Sequence, residues 1–262
     1  MLLDGIKCFD KKNKMRTYGD LEKEVFRLAP SASKAHMAFP FNLGALGVHE
    51  LCEANYGDLP AIAGFALAAK ADRHGAVLYV QQSVLGVEHG NILQVGAARL
   101  QSESNPMMSV QTRKLNEALW AIEEGIKSAA VGLVIAEIED CDFTASRRLV
   151  LASRRYGVPV ILLMPHTREG ATAATARWRI CPRLSANNRF DARGLGTARW
   201  HAVLERSRQA PHLAGRSFDL EWNDETLSLT MVPGLAPYQI EARKDASPDR
   251  FERPQTRLKR YG

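Results

Sequence analysis

The first residues whose types and spacing suggest chemistry lie in a loop between a predicted strand, residues 48–51, and a predicted helix that begins at Ala61. A nucleotide-binding α/β protein has its phosphate loop at this position, and that loop needs glycines, a lysine and a hydroxyl. The loop contains Glu53, Asn55, Tyr56, Asp58 and Pro60. It has no Gly-Lys-Ser/Thr, and its two carboxylates would repel a triphosphate. The sequence therefore predicts the layout of an ATPase with a degenerate phosphate loop, and no cofactor.

A second group of candidate residues follows another predicted strand, residues 131–136. Glu137, Glu139 and Asp140 stand where a metal ligand or an acid/base carboxylate could lie. Without a phosphate loop they have no clear ligand to serve, so we interpret them as a polar strand end, with Asp142 or Thr144 capping the next helix. The sequence predicts no catalytic residues and no metal site.

Arginines form the third group. The chain has a formal net charge of +6 and a pI of about 9.2, and arginines recur from residue 147 onward. Because guanidinium groups bind phosphate and carboxylate in a bidentate geometry, we expect some of them to contact a protein partner or DNA. The candidates are Arg147, Arg148, Arg177, Arg179, Arg206 and Arg208. A solvated basic face is the alternative interpretation.

Arg147 and Arg148 belong to the first turns of a predicted helix, residues 143–156. The positive end of the helix dipole makes this an unfavourable place for cations. Two interpretations follow. Either each arginine pairs locally with Asp140 or Asp142, or both bind a partner.

The tryptophans also allow two interpretations. Trp178, Trp200 and Trp222 occupy strand-like positions between polar residues, where they could form an aromatic surface for nucleic-acid bases or pack in the core of a curved sheet. Trp120 lies near Leu119 and Ile122 in a predicted helix, and we expect it to be buried.

The surrounding pattern predicts an α/β fold. A predicted core strand at 48–51 and apolar runs at 76–80, 131–136 and 158–164 alternate with predicted helices at 61–72, 110–128 and 143–156, which is typical of a mostly parallel sheet covered on both faces. Shorter alternating segments at 176–181, 198–205 and 217–222 predict antiparallel strands that extend the sheet.

Composition and linkers predict three parts. Residues 1–38 form an arm with a short amphipathic helix at 21–28, residues 39–235 form the globular domain, and residues 236–262 form a basic tail that we expect to be disordered. No apolar run is long enough for a membrane span or a signal peptide, and the four cysteines are scattered. We expect a cytoplasmic protein with reduced thiols.

An ordered set of segments resembles known proteins. The run from Ala76 through Gln82, the segments at 85–87 and 91–95, the long helix and the strand at 131–135 resemble the core of the recombinase RecA. The chain is more similar to the ImuA family, RecA-like accessory proteins of SOS-induced mutagenesis. The likeness covers about residues 39–222. The segments that carry it are 49–51, 64–66, 118–125, 142–149, 173–178 and 221–222, above all Thr144-Ala145-Ser146-Arg147-Arg148-Leu149 and Ala174-Thr175-Ala176-Arg177-Trp178.

The resemblance implies a RecA-like core and a role in a damage-inducible mutagenesis complex. Its implied partners are a Y-family-like polymerase homologue, an error-prone replicative-type polymerase and RecA. The chain departs from RecA at Gln81 and Gln82, where the recombinase has an acidic residue, and in the short segment that follows residue 164. An amide cannot accept a proton from an attacking water.

We therefore expect a non-enzymatic adaptor of translesion DNA synthesis that binds polymerase partners and RecA. DNA is a further candidate partner. Two alternatives stay open. One is a divergent DNA-dependent ATPase of the RecA type, and the other is an SOS inhibitor of cell division.

Overall fold

The computed structural model describes residues 8–9, 15–16, 46–69, 75–100, 106–188, 191, 193–226 and 228–232. The predicted N-terminal helix at 21–28 and the basic tail at 236–262 lie outside these residues. Within them, no helix is long and apolar enough to span a membrane.

The strands form two sheets. A small antiparallel pair consists of β1 (Cys8–Phe9) and β2 (Met15–Arg16). The strands of the large sheet are β3 (Val48–Glu53), β4 (Ala76–Gln82), β5 (Met107–Thr112), β6 (Val131–Glu137), β7 (Val160–Met164), β8 (Ala176–Arg183), β9 (Arg199–Ser207), β10 (Ser217–Asn223) and β11 (Ser228–Met231).

Five α-helices connect the strands in the described part of the chain. They are α1 (Leu59–Ala68), α2 (Ser83–His89), α3 (Gln94–Arg99), α4 (Leu115–Ser128) and α5 (Phe143–Tyr156), and a short 3-10 turn lies at Pro211–Leu213.

The large sheet has the order β11-β10-β9-β8-β3-β7-β6-β4-β5. The strands from β8 to β5 in this order are parallel, and β9, β10 and β11 add antiparallel pairs at one side. This arrangement confirms the predicted α/β fold with a mostly parallel sheet extended by antiparallel strands. It also places the carboxyl ends of the parallel strands at one edge, where α/β proteins bind ligands.

The sheet separates two hydrophobic clusters. On one face, strand residues such as Leu51 pack with α1, through Ile62 and Phe65. On the other face, strand residues such as Val48 pack with α4 and α5. Alternate residues of one strand therefore serve opposite faces, which explains why β6 and β7 are almost entirely apolar.

The structure corrects several element boundaries. β5 occupies residues that the sequence assigned to a loop and to the start of the long helix, which begins only at Leu115. Four of the six residues of β5 are exposed, so this edge strand lacks the apolar pattern of the central strands. β11 was missed as well. The apolar run at 91–95 enters α3, and α1 is both earlier and shorter than predicted, with Pro60 in its first turn.

Helix α5 has the predicted bounds and shows how local sequence sets them. The Oδ1 atom of Asp142 accepts a hydrogen bond from the backbone N–H of Ala145 at 2.6 Å, so Asp142 is the N-cap rather than Thr144. The helix ends at Gly157, whose φ of 77° lies in the left-handed region that glycine adopts most easily.

Three of the tryptophans are buried and one is exposed. Trp178, Trp200 and Trp222 are buried, so the core interpretation is correct and the aromatic surface is not observed. The Nε1 atom of Trp200 donates to the carbonyl of Ala61 at 2.9 Å, which ties β9 to α1. The expectation that Trp120 is buried was wrong, because its side chain is 66% exposed. The buried residues of α4 are Ala118, Ile122 and Ile126.

Two substitutions in α4 test this assignment. Ile122→Ala removes a fully buried side chain, and we expect it to lower the free energy of unfolding by about 2–4 kcal/mol. Trp120→Ala removes an exposed side chain, and we expect a change within about 0.5 kcal/mol. Urea unfolding of both variants measures the difference. A loss of similar size in the Trp120 variant would show that Trp120 belongs to the core.

Candidate functional site at the carboxyl edge of the sheet

The loop between β3 and α1 is closed by its own hydrogen bonds. The Oδ2 atom of Asp58 accepts from the backbone N–H of Asn55 at 3.0 Å and from its Nδ2 atom at 3.1 Å. The hydroxyl of Tyr56 donates to Glu88 at 2.6 Å, and this hydrogen bond raises the pKa of the phenol. Leu59, the first residue of α1, is buried. The loop therefore has no lysine at the start of the helix, and its polar side chains bond to one another or to Glu88.

Glu53, the last residue of β3, places a carboxylate where this loop begins. Its side chain is 1% exposed, and its Oε1 atom accepts a hydrogen bond from the backbone N–H of His166 at 3.1 Å and lies 3.2 Å from the Nδ1 atom of the same residue. The Oε2 atom has no hydrogen-bond partner within the described residues. The edge of the Tyr56 ring contacts His166, with ring centroids 5.9 Å apart. A buried carboxylate here opposes the binding of an anion.

The ends of β4 and β6 are joined by a polar network. The Nε2 atom of Gln81 donates to Glu137 at 2.6 Å, and the Nε2 atom of Gln82 donates to Glu139 at 2.5 Å. The hydroxyl of Tyr79 also donates to Glu137. Burial raises the pKa of the Glu137 carboxyl, although the hydrogen bonds from Tyr79 and Gln81 oppose the shift. Both glutamines are thus structural donors, and the carboxylates form the polar strand end that the sequence predicted.

A small cleft lies beside this network. Its volume is about 350 Å³, and it is lined by one face of α1, by residues 89–93 and by parts of α3, with Glu137 among its walls. Most of the lining is apolar. Because both oxygens of Glu137 already accept hydrogen bonds, the cleft offers a ligand few unused polar contacts.

The strongest electrostatic feature is the carboxylate of Glu50, which is fully buried in the middle of β3. Its Oε2 atom accepts from the Nε atom of Arg177 at 2.6 Å, and its Oε1 atom accepts from the hydroxyl of Thr172 at 2.7 Å. Arg168 lies 3.4 Å from Oε1 and continues to Asp140 at 3.0 Å. A buried charge requires such partners, because its desolvation is otherwise strongly unfavourable.

The arginines chosen from sequence lie in different environments. Arg177 is buried against Glu50, so its guanidinium is not available at the surface. Arg179 is half-buried, pairs with Glu205 at 2.7 Å and donates to the backbone carbonyls of Glu53 and His166. These two arginines support the fold, and the expectation of a partner contact is corrected for Arg177.

The other four candidates are exposed. Arg208 donates to the backbone carbonyls of residues 172 and 174, which fixes the segment between β7 and β8. Arg148 pairs with Glu123 of α4. Arg147 and Arg206 have no ion pair within the described residues. Pairing of Arg147 or Arg148 with Asp140 or Asp142, one of the two interpretations, is not observed, because Asp142 caps α5 and Asp140 pairs with Arg168.

Sequence reasoning missed the group formed by Glu50, Arg168 and Arg177, and also the contact between Glu53 and His166. One signal was available, since Glu50 is a charged residue in the middle of the predicted core strand Val48-His49-Glu50-Leu51-Cys52. A charged residue in the middle of a buried strand requires a partner of opposite charge. Its partners lie 118 and 127 residues further along the chain, so spacing alone could not identify them.

A pair of cross-strand arginines tests the importance of this group. Arg177→Ala leaves Glu50 buried without its closest partner, and we expect a loss of about 3 kcal/mol in the free energy of unfolding. Arg206 faces Arg177 across β8 and β9 but is exposed, so Arg206→Ala is the matched control, with an expected change within about 0.5 kcal/mol. Urea unfolding measures both values. Equal losses would contradict a special role for the buried pair.

Comparison with known proteins gives a clear relationship. No family model matches the chain. The chain is 30% identical over 181 residues to Protein ImuA of Caulobacter vibrioides strain NA1000 / CB15N, a match that spans 62% of this chain and 70% of the relative. Protein ImuA of Caulobacter vibrioides strain ATCC 19089 / CIP 103742 / CB 15 matches with the same identity and coverage.

Proposed function

The chain belongs to the ImuA family, and from this premise we propose that it is a non-enzymatic accessory protein of SOS-induced mutagenesis with a RecA-like core. In this role it assists translesion DNA synthesis by binding a Y-family-like polymerase homologue, an error-prone replicative-type polymerase and RecA. The observation that carries the non-enzymatic part is the loop between β3 and α1, which lacks the groups that bind a triphosphate.

Three features of the carboxyl edge support this proposal. The first residue of α1 is the buried Leu59, where the loop offers no lysine. Glu53 is buried at the mouth of the loop, and Gln81 donates its amide protons to Glu137 and to the backbone carbonyl of Gly90. A site for ATP hydrolysis needs phosphate donors and a group that positions or activates water. These residues are instead committed to hydrogen bonds that stabilise the sheet.

The free edge of the large sheet supports a binding role. β5 pairs only with β4 among the described strands, so one side of its backbone is open to a partner strand. Met108 and Val110 of β5 are exposed on the face of the sheet that carries α4 and α5, and exposed apolar side chains also occur in the α2 and α3 segments on the opposite face. These are Val84, Val87, Leu93 and Val95. Exposed apolar groups beside an open strand favour protein association over solvent.

Two alternative functions differ from this proposal. A divergent DNA-dependent ATPase would need nucleotide contacts made by backbone groups alone. An SOS inhibitor of cell division would act on a different partner, and filamentation of cells on overexpression would favour it. Arg206 and Arg208 remain exposed candidates for a contact with DNA or a protein, and no described residue makes either alternative the better explanation.

Co-purification tests the proposed function. We expect the tagged full-length chain to capture the polymerase homologue and RecA from cells with damaged DNA, because both are proposed partners. A truncated chain that ends at residue 232 retains β11 and lacks the basic tail, so it shows whether the tail contributes. Val110→Glu, on the open edge of β5, has a matched control in Ala214→Glu, which adds the same single charge at an exposed position away from the strand.

We expect Val110→Glu to reduce capture of at least one partner by about tenfold, because a charge at a buried interface position is strongly unfavourable. The control should leave capture unchanged. If neither partner is captured by the full-length chain or by the truncated chain, the proposed function is wrong.

A further inference from the structure

The outer surface of α4 and α5 combines exposed apolar side chains with arginines. Trp120 and Leu151 are 66% and 59% exposed, and Phe143 is also exposed. The basic residues of this surface are Lys127, Arg147, Arg148, Arg154 and Arg155. We refer to these eight residues, together with Glu123 and Glu124, as the basic aromatic face.

The two helices contribute to one continuous surface. The guanidinium of Arg148 on α5 pairs with the carboxylate of Glu123 on α4. Trp120 precedes Glu123 by three residues, and Leu151 follows Arg148 by three residues. Side chains three apart on a helix are neighbours, so Trp120 and Leu151 lie on either side of this ion pair.

The acidic residues of the face are neutralised within it. Lys127 lies 2.9 Å from Glu123 and 3.0 Å from Glu124, and its hydrogen bond is the main cause of the lowered pKa of Glu123. Arg148 also pairs with Glu123. By contrast, Arg147 and Arg154 have no acidic partner in the described part of the chain. The face therefore carries an excess of positive charge that its own residues do not balance.

The exposed apolar residues of this face do not belong to the hydrophobic clusters of the described residues. The buried residues of α5 are Ser146, Leu149, Val150 and Ser153, so Leu151 lies outside its core face. Trp120 similarly lies outside the buried face of α4. Tryptophan and arginine are the residue types that contribute most often to the centres of protein interfaces.

From this arrangement we propose that the basic aromatic face binds an acidic amphipathic segment of a partner protein. The carboxylates of such a segment would pair with Arg147 and Arg154, and its apolar residues would cover Trp120 and Leu151. A leucine gains from an aliphatic or aromatic partner but has no favourable contact with a phosphate backbone, and Glu123 lies among the arginines. These two features favour a protein over DNA.

This inference rests on the proposed function only for the identity of the partner, which would be a member of the mutagenesis complex. The chemistry of the face can be tested with the purified chain alone. Failure of the face to bind an acidic segment would leave the co-purification result intact, and failed co-purification would leave binding of the segment to the face intact.

The probe is a labelled peptide of about 18 residues, slightly longer than α5, that contains Glu and Asp with Leu and Phe at helical spacing. A matched peptide has Ser in place of Leu and Phe, and a DNA duplex serves as the competing polyanion. Fluorescence anisotropy measures the Kd. Acrylamide quenching reports on Trp120 directly, because the other three tryptophans are buried.

We expect the amphipathic peptide to bind and to shield Trp120 from acrylamide. Arg147→Glu combined with Arg154→Glu should raise the Kd by about tenfold or more, and Trp120→Ala should raise it by a similar factor. Arg193→Glu combined with Arg216→Glu reverses two exposed arginines outside α4 and α5, so it is the charge-matched control and should change the Kd by less than about twofold. Each variant is first compared with the parent by urea unfolding, and Arg147→Gln with Arg154→Gln replaces any charge-reversal variant that unfolds.

Several results would overturn the proposal. These are no binding of the amphipathic peptide, equal binding of the serine peptide, equal binding by the arginine variants, or binding of the DNA duplex alone at this face. The last outcome would assign the face to nucleic acid.

Discussion

The buried carboxylate of Glu50 is the interaction on which the carboxyl half of the sheet depends. Glu50 lies in β3, and its partners Arg177 and Arg168 lie in β8 and in the segment between β7 and β8. Arg168 extends the group to Asp140 after β6 and to the backbone carbonyl of residue 141. One buried charge thus ties three strands and a crossover together. Because an unpaired carboxylate at this depth is strongly unfavourable, the crossover must lie across the edge of the sheet.

This arrangement explains why the edge that usually binds ligands is filled with the chain's own groups. The crossover brings His166 to Glu53, and the side chain of Arg179 donates to the carbonyls on both sides of that contact. The neighbouring strand ends are joined by Gln81 and Gln82 to carboxylates. Many polar groups of the edge are paired within the chain, whereas the Oε2 atom of Glu53 has no hydrogen-bond partner within the described residues. The open strand β5 and the outer face of α4 and α5 are two larger surfaces that other molecules can reach.

The sequence predicted the features that depend on local pattern, such as the apolar strands, the bounds of α5 and its stop at Gly157. It failed where long-range contacts decide the outcome. β5 is an exposed edge strand, so its residues lack a period that identifies it. Arg177 looked like a surface contact because its partner Glu50 is 127 residues away. Trp120 was misplaced because hydrophobicity alone suggested burial, whereas its position on α4 lies outside the face set by Ala118, Ile122 and Ile126.

The central proposal is that the fold serves as a binding surface and that the loop between β3 and α1 does not bind nucleotide. Isothermal titration calorimetry of the full-length chain with ATP and Mg²⁺ tests it most directly, with RecA as the positive control. The account predicts no saturable heat at micromolar concentrations, the range of small-molecule sites. Saturable binding of ATP with a micromolar Kd, weakened by substitution of Asn55 or Tyr56 in this loop, would contradict it.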